Sequence, residues 1–175
     1  MSWTKILKEQ AEAAYVATEG LLDLVNDDTL DWKPDTGTNW LTVGQLLKHI
    51  AEACGATCKG FVTGDWGAPP ESFENMNPED MLPPADAFPA FASVTEAKSA
   101  LAADKALTFA LIEQAGDDDL ETKLVTAPWY PRPRPLGAQI GGAIEHLTAH
   151  KAQLFYYLKL QGVDVNTGHL WGMQL

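Results

Sequence analysis

Along residues 3–25, Leu7, Ala11, Ala14, Thr18, Leu21 and Val25 recur at alternating steps of four and three. Steps of that size place side chains on one stripe of an amphipathic helix, which the run Asn26-Asp27-Asp28 should end. A second stripe, Leu46, Ile50, Ala53, Thr57 and Phe61, predicts a helix over 42–63. Thr42 is its N-cap, Gln45 completes a capping box, and Gly64 should stop it. Ser93 with Glu96 opens a third helix over 94–116 along Ala97, Leu101, Thr108 and Leu111. The fourth helix covers 138–161, Gly162 stops it, and 162–175 reads as a tail. No segment alternates with period two for long enough to predict a strand, and no internal repeat is present.

Two proline-rich connections separate these elements. Residues 65–92 hold six prolines and few apolar groups, a length that signals a crossover or a lid. The second connection, "DDDLETKLVTAPWYPRPRPLG", carries prolines at 128, 131, 133 and 135. Four long helices predict an all-α four-helix bundle forming one domain over 1–175. The link between the first two helices should make them antiparallel neighbours. The long link between the second and third permits a crossover, giving up-down-down-up order.

The totals narrow the function. With 12 basic and 24 acidic residues the formal charge is −12. Nucleic acid and anionic membranes are therefore poor partners, since both demand a basic face. No apolar run approaches the ~20 residues of a bilayer span. Lys8, Glu9 and Glu12 interrupt the N-terminal region where a signal peptide needs an apolar core, so a cytoplasmic protein is expected. Cys54 and Cys58, the only cysteines, suit a reducing compartment and read as small core residues.

Four histidines remain to be placed. His146 and His150 are one helical turn apart on the fourth helix and point the same way, so both can reach one ion at ~2.1 Å. Alone, that spacing is also met by two hydrogen-bonded core or surface residues. His49, beside the apolar stripe of the second helix, supplies a third nitrogen from a facing element. Three nitrogens leave one position open, as in catalytic sites. His169, in the tail, is a free candidate for a fourth ligand, against the plainer reading of a tail docked on the bundle or on a second subunit.

Other residues are candidates for the surroundings. Gln45, Gln153 and Tyr157 share the histidines' faces and are read as lining a pocket. Asp104 interrupts the third stripe, as a ligand, an acceptor for a ligand, or a solvent-facing helix-edge aspartate. The only two arginines, Arg132 and Arg134, are candidates for binding an anion. Alternatively they offset Asp117, Asp118 and Asp119, or anchor their loop. In the crossover topology their loop should enter the fourth helix at the end opposite His49.

"LDWKP" followed by "TVGQLLKHIAEA", with "EHLTAHKAQLFYYLKLQG" late in the chain, resembles the DinB-like superfamily. The resemblance implies an up-down-down-up bundle with a three-histidine site for a divalent ion, often zinc or nickel. Carried over, the ligands fall on His49, His146 and His150, and the glutamine that often follows falls on Gln153. Lys151 stands where an arginine is common, and "YLKLQG" departs from the usual ending. Neither change touches a ligand. Some relatives are metal-dependent transferases or isomerases using a low-molecular-weight thiol such as mycothiol, bacillithiol or glutathione. The expectation is therefore a small-molecule enzyme acting through an activated thiol or water, as an S-transferase, isomerase or hydrolase. The competing expectation is a non-catalytic, metal-stabilised stress-response or interaction protein. A homodimer is expected by analogy.

Overall fold

The computed structural model describes residues 2–69, 72–73 and 84–173. Within the first long connection, residues 70–71 and 74–83 lie outside the described residues.

Helix α1, Trp3–Leu22, follows its predicted stripe, burying Leu7, Ala11, Ala14, Thr18 and Leu21. Ser2 caps it by accepting from the Lys5 N–H. Asp117 adds a distant cap, since its Oδ1 accepts from the Thr4 N–H at 2.7 Å and the Ser2 hydroxyl at 2.9 Å. A carboxylate there also meets the positive end of the helix dipole.

The expected second helix is two helices. The Thr42–Gln45 capping box opens α2, Val43–Ile50, and α3 spans Gly55–Thr63. Between them the ladder fails: the N–H groups of Glu52 and Ala53 reach back only three residues, to His49 and Ile50. A buried carboxylate supplies the reason for the break. Asp104 accepts from the Gly55 N–H at 2.8 Å, and from the backbones of Cys54 and Ala56. It thus serves as the N-terminal cap that α3 lacks locally, since Cys54 makes no side-chain capping bond.

Helix α4 spans Val94–Thr122. Ser93 accepts from the Glu96 N–H, while the Glu96 carboxylate takes the Ala92 N–H, so the expected capping box is shifted by one donor. The predicted stop at Gly116 is instead a kink, with φ 67° and ψ 167°, after which helical turns resume to Thr122. Glycine tolerates that left-handed φ without a Cβ clash, and the turn brings Asp117 to the start of α1.

A strand pair follows that the sequence reading did not expect. Strands β1, Leu124–Ala127, and β2, Tyr130–Pro135, form an antiparallel hairpin with Val125 opposite Arg134 and Ala127 opposite Tyr130. Prolines at 131, 133 and 135 make β2 look unsuited to a sheet. Yet successive N–H groups of a strand point to opposite edges, so prolines at every second residue put all the missing donors on one edge. The other edge stays intact, and the Leu136 N–H donates to the Lys123 carbonyl at 2.8 Å.

Helix α5 spans Leu136–Leu160. Within the expected tail, α6, Thr167–Trp171, is capped by Asn166 and His169. The buried Lys151 ammonium donates to the Leu170 carbonyl at 2.7 Å and holds this short helix down.

The described residues are thus mostly helical, with one small two-stranded sheet among them. Helix α1 packs on α4 and α5, and so do α2 and α3. The first two predicted helices are therefore not the close neighbours expected. The link between them contains a 3-10 turn, Asp27–Thr29, and is bonded to the start of α2 through Trp32 and Leu30, long enough to carry the chain past α1. No described helix is long and apolar enough to cross a membrane.

Candidate metal centre

His49 lies in the last turn of α2, and His146 and His150 project from α5 toward it. Their Nε2 atoms form a tight triangle: 3.3 Å from His49 to His146, 3.0 Å from His49 to His150, and 2.8 Å from His146 to His150. These are the three described residues whose ligand atoms converge in this way. Nitrogens ~2.1 Å from one tetrahedral ion stand ~3.4 Å apart, close to the observed separations.

The protons decide what such a triangle can hold. Tyr157 donates its hydroxyl to the Leu41 carbonyl at 3.0 Å, a group that only accepts. The Gln153 amide N–H then donates to the Tyr157 oxygen, which leaves Gln153 Oε1 to accept from His150 Nδ1 at 3.1 Å. A proton on Nδ1 leaves a lone pair on Nε2, the form that ligates metal. His146 is held by a hydrogen bond to the backbone of Ala53. Ala53 lies in the break between α2 and α3, where its carbonyl also accepts from the Thr57 hydroxyl.

Charge points the same way. Burial and the two facing imidazoles lower the His49 pKa to about 4. Burial lowers His146 as well, with His150 adding to it, and burial lowers His150 against the opposing bond to Gln153. Near neutral pH the cluster presents three neutral imidazoles, and with each proton on Nδ1 their Nε2 lone pairs converge, an arrangement that a cation relieves. The three histidines can hold a divalent ion.

A cavity of about 640 Å³ opens beside them, with His49 and His146 in its wall. Phe61, Trp129 and Tyr130 supply aromatic surface, and Arg134, Gln139 and Gly142 also line the cavity. Trp66 stacks edge-on against both Phe61 and Trp129, tying α3 to the hairpin. Gly60 permits this, because a Cβ there would stand 2.2 Å from the Trp66 ring.

The remaining candidates are placed as follows. Gln45 is committed to fold: its Oε1 accepts from the Thr42 N–H, and its Nε2 donates to the carbonyls of Ala85 and Phe88. Those bonds set Phe88 edge-on to His49, at 5.5 Å between ring centres. Gln153 orients His150, and with Tyr157 it borders a different hollow beside Trp40 and Tyr156. Asp104 is neither a ligand nor solvent-facing. Its carboxylate is buried, caps α3 and accepts from the Tyr15 hydroxyl at 2.6 Å. His169 caps α6. Cys54 and Cys58 are fully buried, and the hydrogen bond to Cys54, with burial, raises the Cys58 thiol.

The arginines differ from each other. Arg132 lies over the Tyr130 ring, 6.0 Å from its centre. Arg134 lines the histidine cavity, so the hairpin does not sit at the far end of α5 as the crossover argument expected. Folding back as two strands carries it along the first turns of α5. Gln139, Gly142 and Trp129 were missed as site residues. The signal for Gln139 was its seven-residue spacing from His146, which returns to the same helix face.

The family model of the DinB superfamily matches residues 10–154. No curated protein and no solved structure matches the chain.

Proposed function

The chain belongs to the DinB superfamily, and from that premise we propose that His49, His146 and His150 bind a divalent ion, zinc or nickel, for small-molecule catalysis. The observation that carries this reading is the convergence of three neutral Nε2 atoms beside a cavity large enough for a substrate. When bound, such an ion lowers the pKa of a coordinated thiol or water, yielding a nucleophile near neutral pH. The chain's own residues orient the ligands: Gln153 fixes the His150 proton, Ala53 holds His146, and Phe88 backs His49. A low-molecular-weight thiol as cosubstrate would make the protein an S-transferase or isomerase, and water would make it a hydrolase. The fold proposed for this site is an up-down-down-up four-helix bundle, with α2 and α3 together as its second helix. The packing of α1 and of α2–α3 on the same two helices supports that reading.

Metal analysis of the purified protein tests the site. A stoichiometric divalent ion is expected in the wild type and its loss in His49→Ala and His150→Ala. Unchanged metal content in both variants would overturn the reading. Incubating the metal-loaded protein with a panel of cellular thiols and electrophiles tests the chemistry. Metal-dependent stabilisation without turnover of either class would favour a non-catalytic, metal-stabilised protein.

A further inference from the structure

Gln139 is only 8% exposed, and its amide makes no hydrogen bond among the described residues, yet it lines the histidine cavity. An amide that opens into the cavity with no described protein partner is free to bond a polar group held there. Arg134, exposed on β2, lines the same cavity, and no described carboxylate pairs with it. Between these groups and the histidines, α5 presents Gly142 and Ala143. A Cβ on Gly142 would meet nothing within 4 Å, so the helix surface there is open. Seven residues from Gln139 to His146 correspond to about 10 Å along the axis.

We propose that the cavity takes a small monocarboxylate, its carboxylate held by Arg134 and Gln139, its apolar body lying over Gly142, and its far end facing the three histidines. One guanidinium and one neutral amide match a single negative charge, and a net charge of −12 on the chain disfavours a more highly charged ligand. Phe61, Trp129 and Tyr130 give the body of the ligand an aromatic wall, which favours a flat or aromatic midsection. This assignment names the substrate class for the function proposed above and takes the histidines as the reacting end from it.

Calorimetric titration with phenylpropionate and phenylpropionamide, on EDTA-treated and on metal-loaded protein, separates the two ideas. In EDTA-treated wild type the acid should bind about tenfold more tightly than the amide, the worth of one charge-assisted contact near the surface. Arg134→Gln should erase that preference while metal content stays unchanged. Gly142→Leu should abolish binding of both probes, and Gly142→Ala, which fills less of the floor, should weaken both if the leucine variant fails to fold. Equal binding of acid and amide, no binding of either, or a preference that survives Arg134→Gln would overturn the proposal. A preference that appears only with metal and survives Arg134→Gln would mean that the carboxylate ligates the ion, which also overturns it. Failure of the metal reading shows separately, as unchanged metal content in both His49→Ala and His150→Ala.

Discussion

His150 reaches its ligating form through a carbonyl two residues removed in the hydrogen-bond chain. The Leu41 carbonyl can only accept, so Tyr157 must donate to it, Gln153 must donate to Tyr157, and His150 must donate from Nδ1 to Gln153. Gln153→Leu keeps much of the volume and removes the amide that fixes this proton. Metal affinity, measured by competition with a chromophoric chelator, should fall about 10- to 100-fold, the usual cost of losing a ligand's outer partner. Unchanged affinity would show that the imidazole orients itself. Asp104 is the other residue whose loss should be severe. Asp104→Ala leaves the N–H groups at the start of α3 without their acceptor inside the core and reduces the Tyr15 hydroxyl to its one remaining partner, Thr108. A loss of about 3 kcal/mol in urea unfolding is expected, since several buried donors lose their acceptor together.

At the scale of elements, the break at residues 51–54 joins fold and site. At its end, Cys54 and the first residues of α3, Gly55 and Ala56, give their N–H groups to Asp104, and the Ala53 backbone meets His146. Gly55 is required there, because a Cβ would lie 2.5 Å from the Asp104 Oδ1 and 2.9 Å from the Asp104 carbonyl oxygen. Gly55→Ala should therefore cost about 2 kcal/mol by overpacking, and it should weaken metal binding as well, although Gly55 touches no histidine. Loss of stability with full metal affinity would show the two to be independent. The same break marks where the sequence stopped being legible. Leu46, Ile50, Ala53, Thr57 and Phe61 keep helical period straight across it, so periodicity could not show it. Its cause is Asp104, about fifty residues away, whose own interruption of the α4 stripe looked like a surface position. The capping residues Thr42, Gln45 and Ser93, by contrast, act within one turn and were legible. The convergence of the three histidines was legible in part, because i,i+4 spacing is local, whereas the side of α5 on which the hairpin lies is not. In β2 the signal was present but masked: three prolines two residues apart suggest a loop by composition and a one-sided edge strand by spacing.

For the whole molecule, acid should act through two kinds of group, the histidines and Asp104, that pull in opposite senses. His49 has its pKa lowered from 6.5 to about 4, chiefly by burial. Between those values the unfolded chain binds more protons, so the stability His49 supports is complete above 6.5 and lost as pH falls through about 4. The lowered His146 and His150 act in the same sense. Burial raises Asp104 from 3.8 to about 6, which makes the folded chain the stronger proton binder in that interval. Its contribution is present below 3.8 and lost as pH rises through about 6. The two windows overlap, so the metal-free protein should show a shallow stability profile there. Asp104→Asn removes the opposing group, and its urea midpoint should drop steadily as pH falls from 6.5 toward 4. A bound ion changes the balance, because it needs all three imidazoles neutral. Its stabilisation, read as the shift in melting temperature on adding chelator, should be large near neutral pH and vanish on the acid side of the histidine window. A chelator shift that persists undiminished below about pH 4 would mean the ion is held by groups other than these histidines.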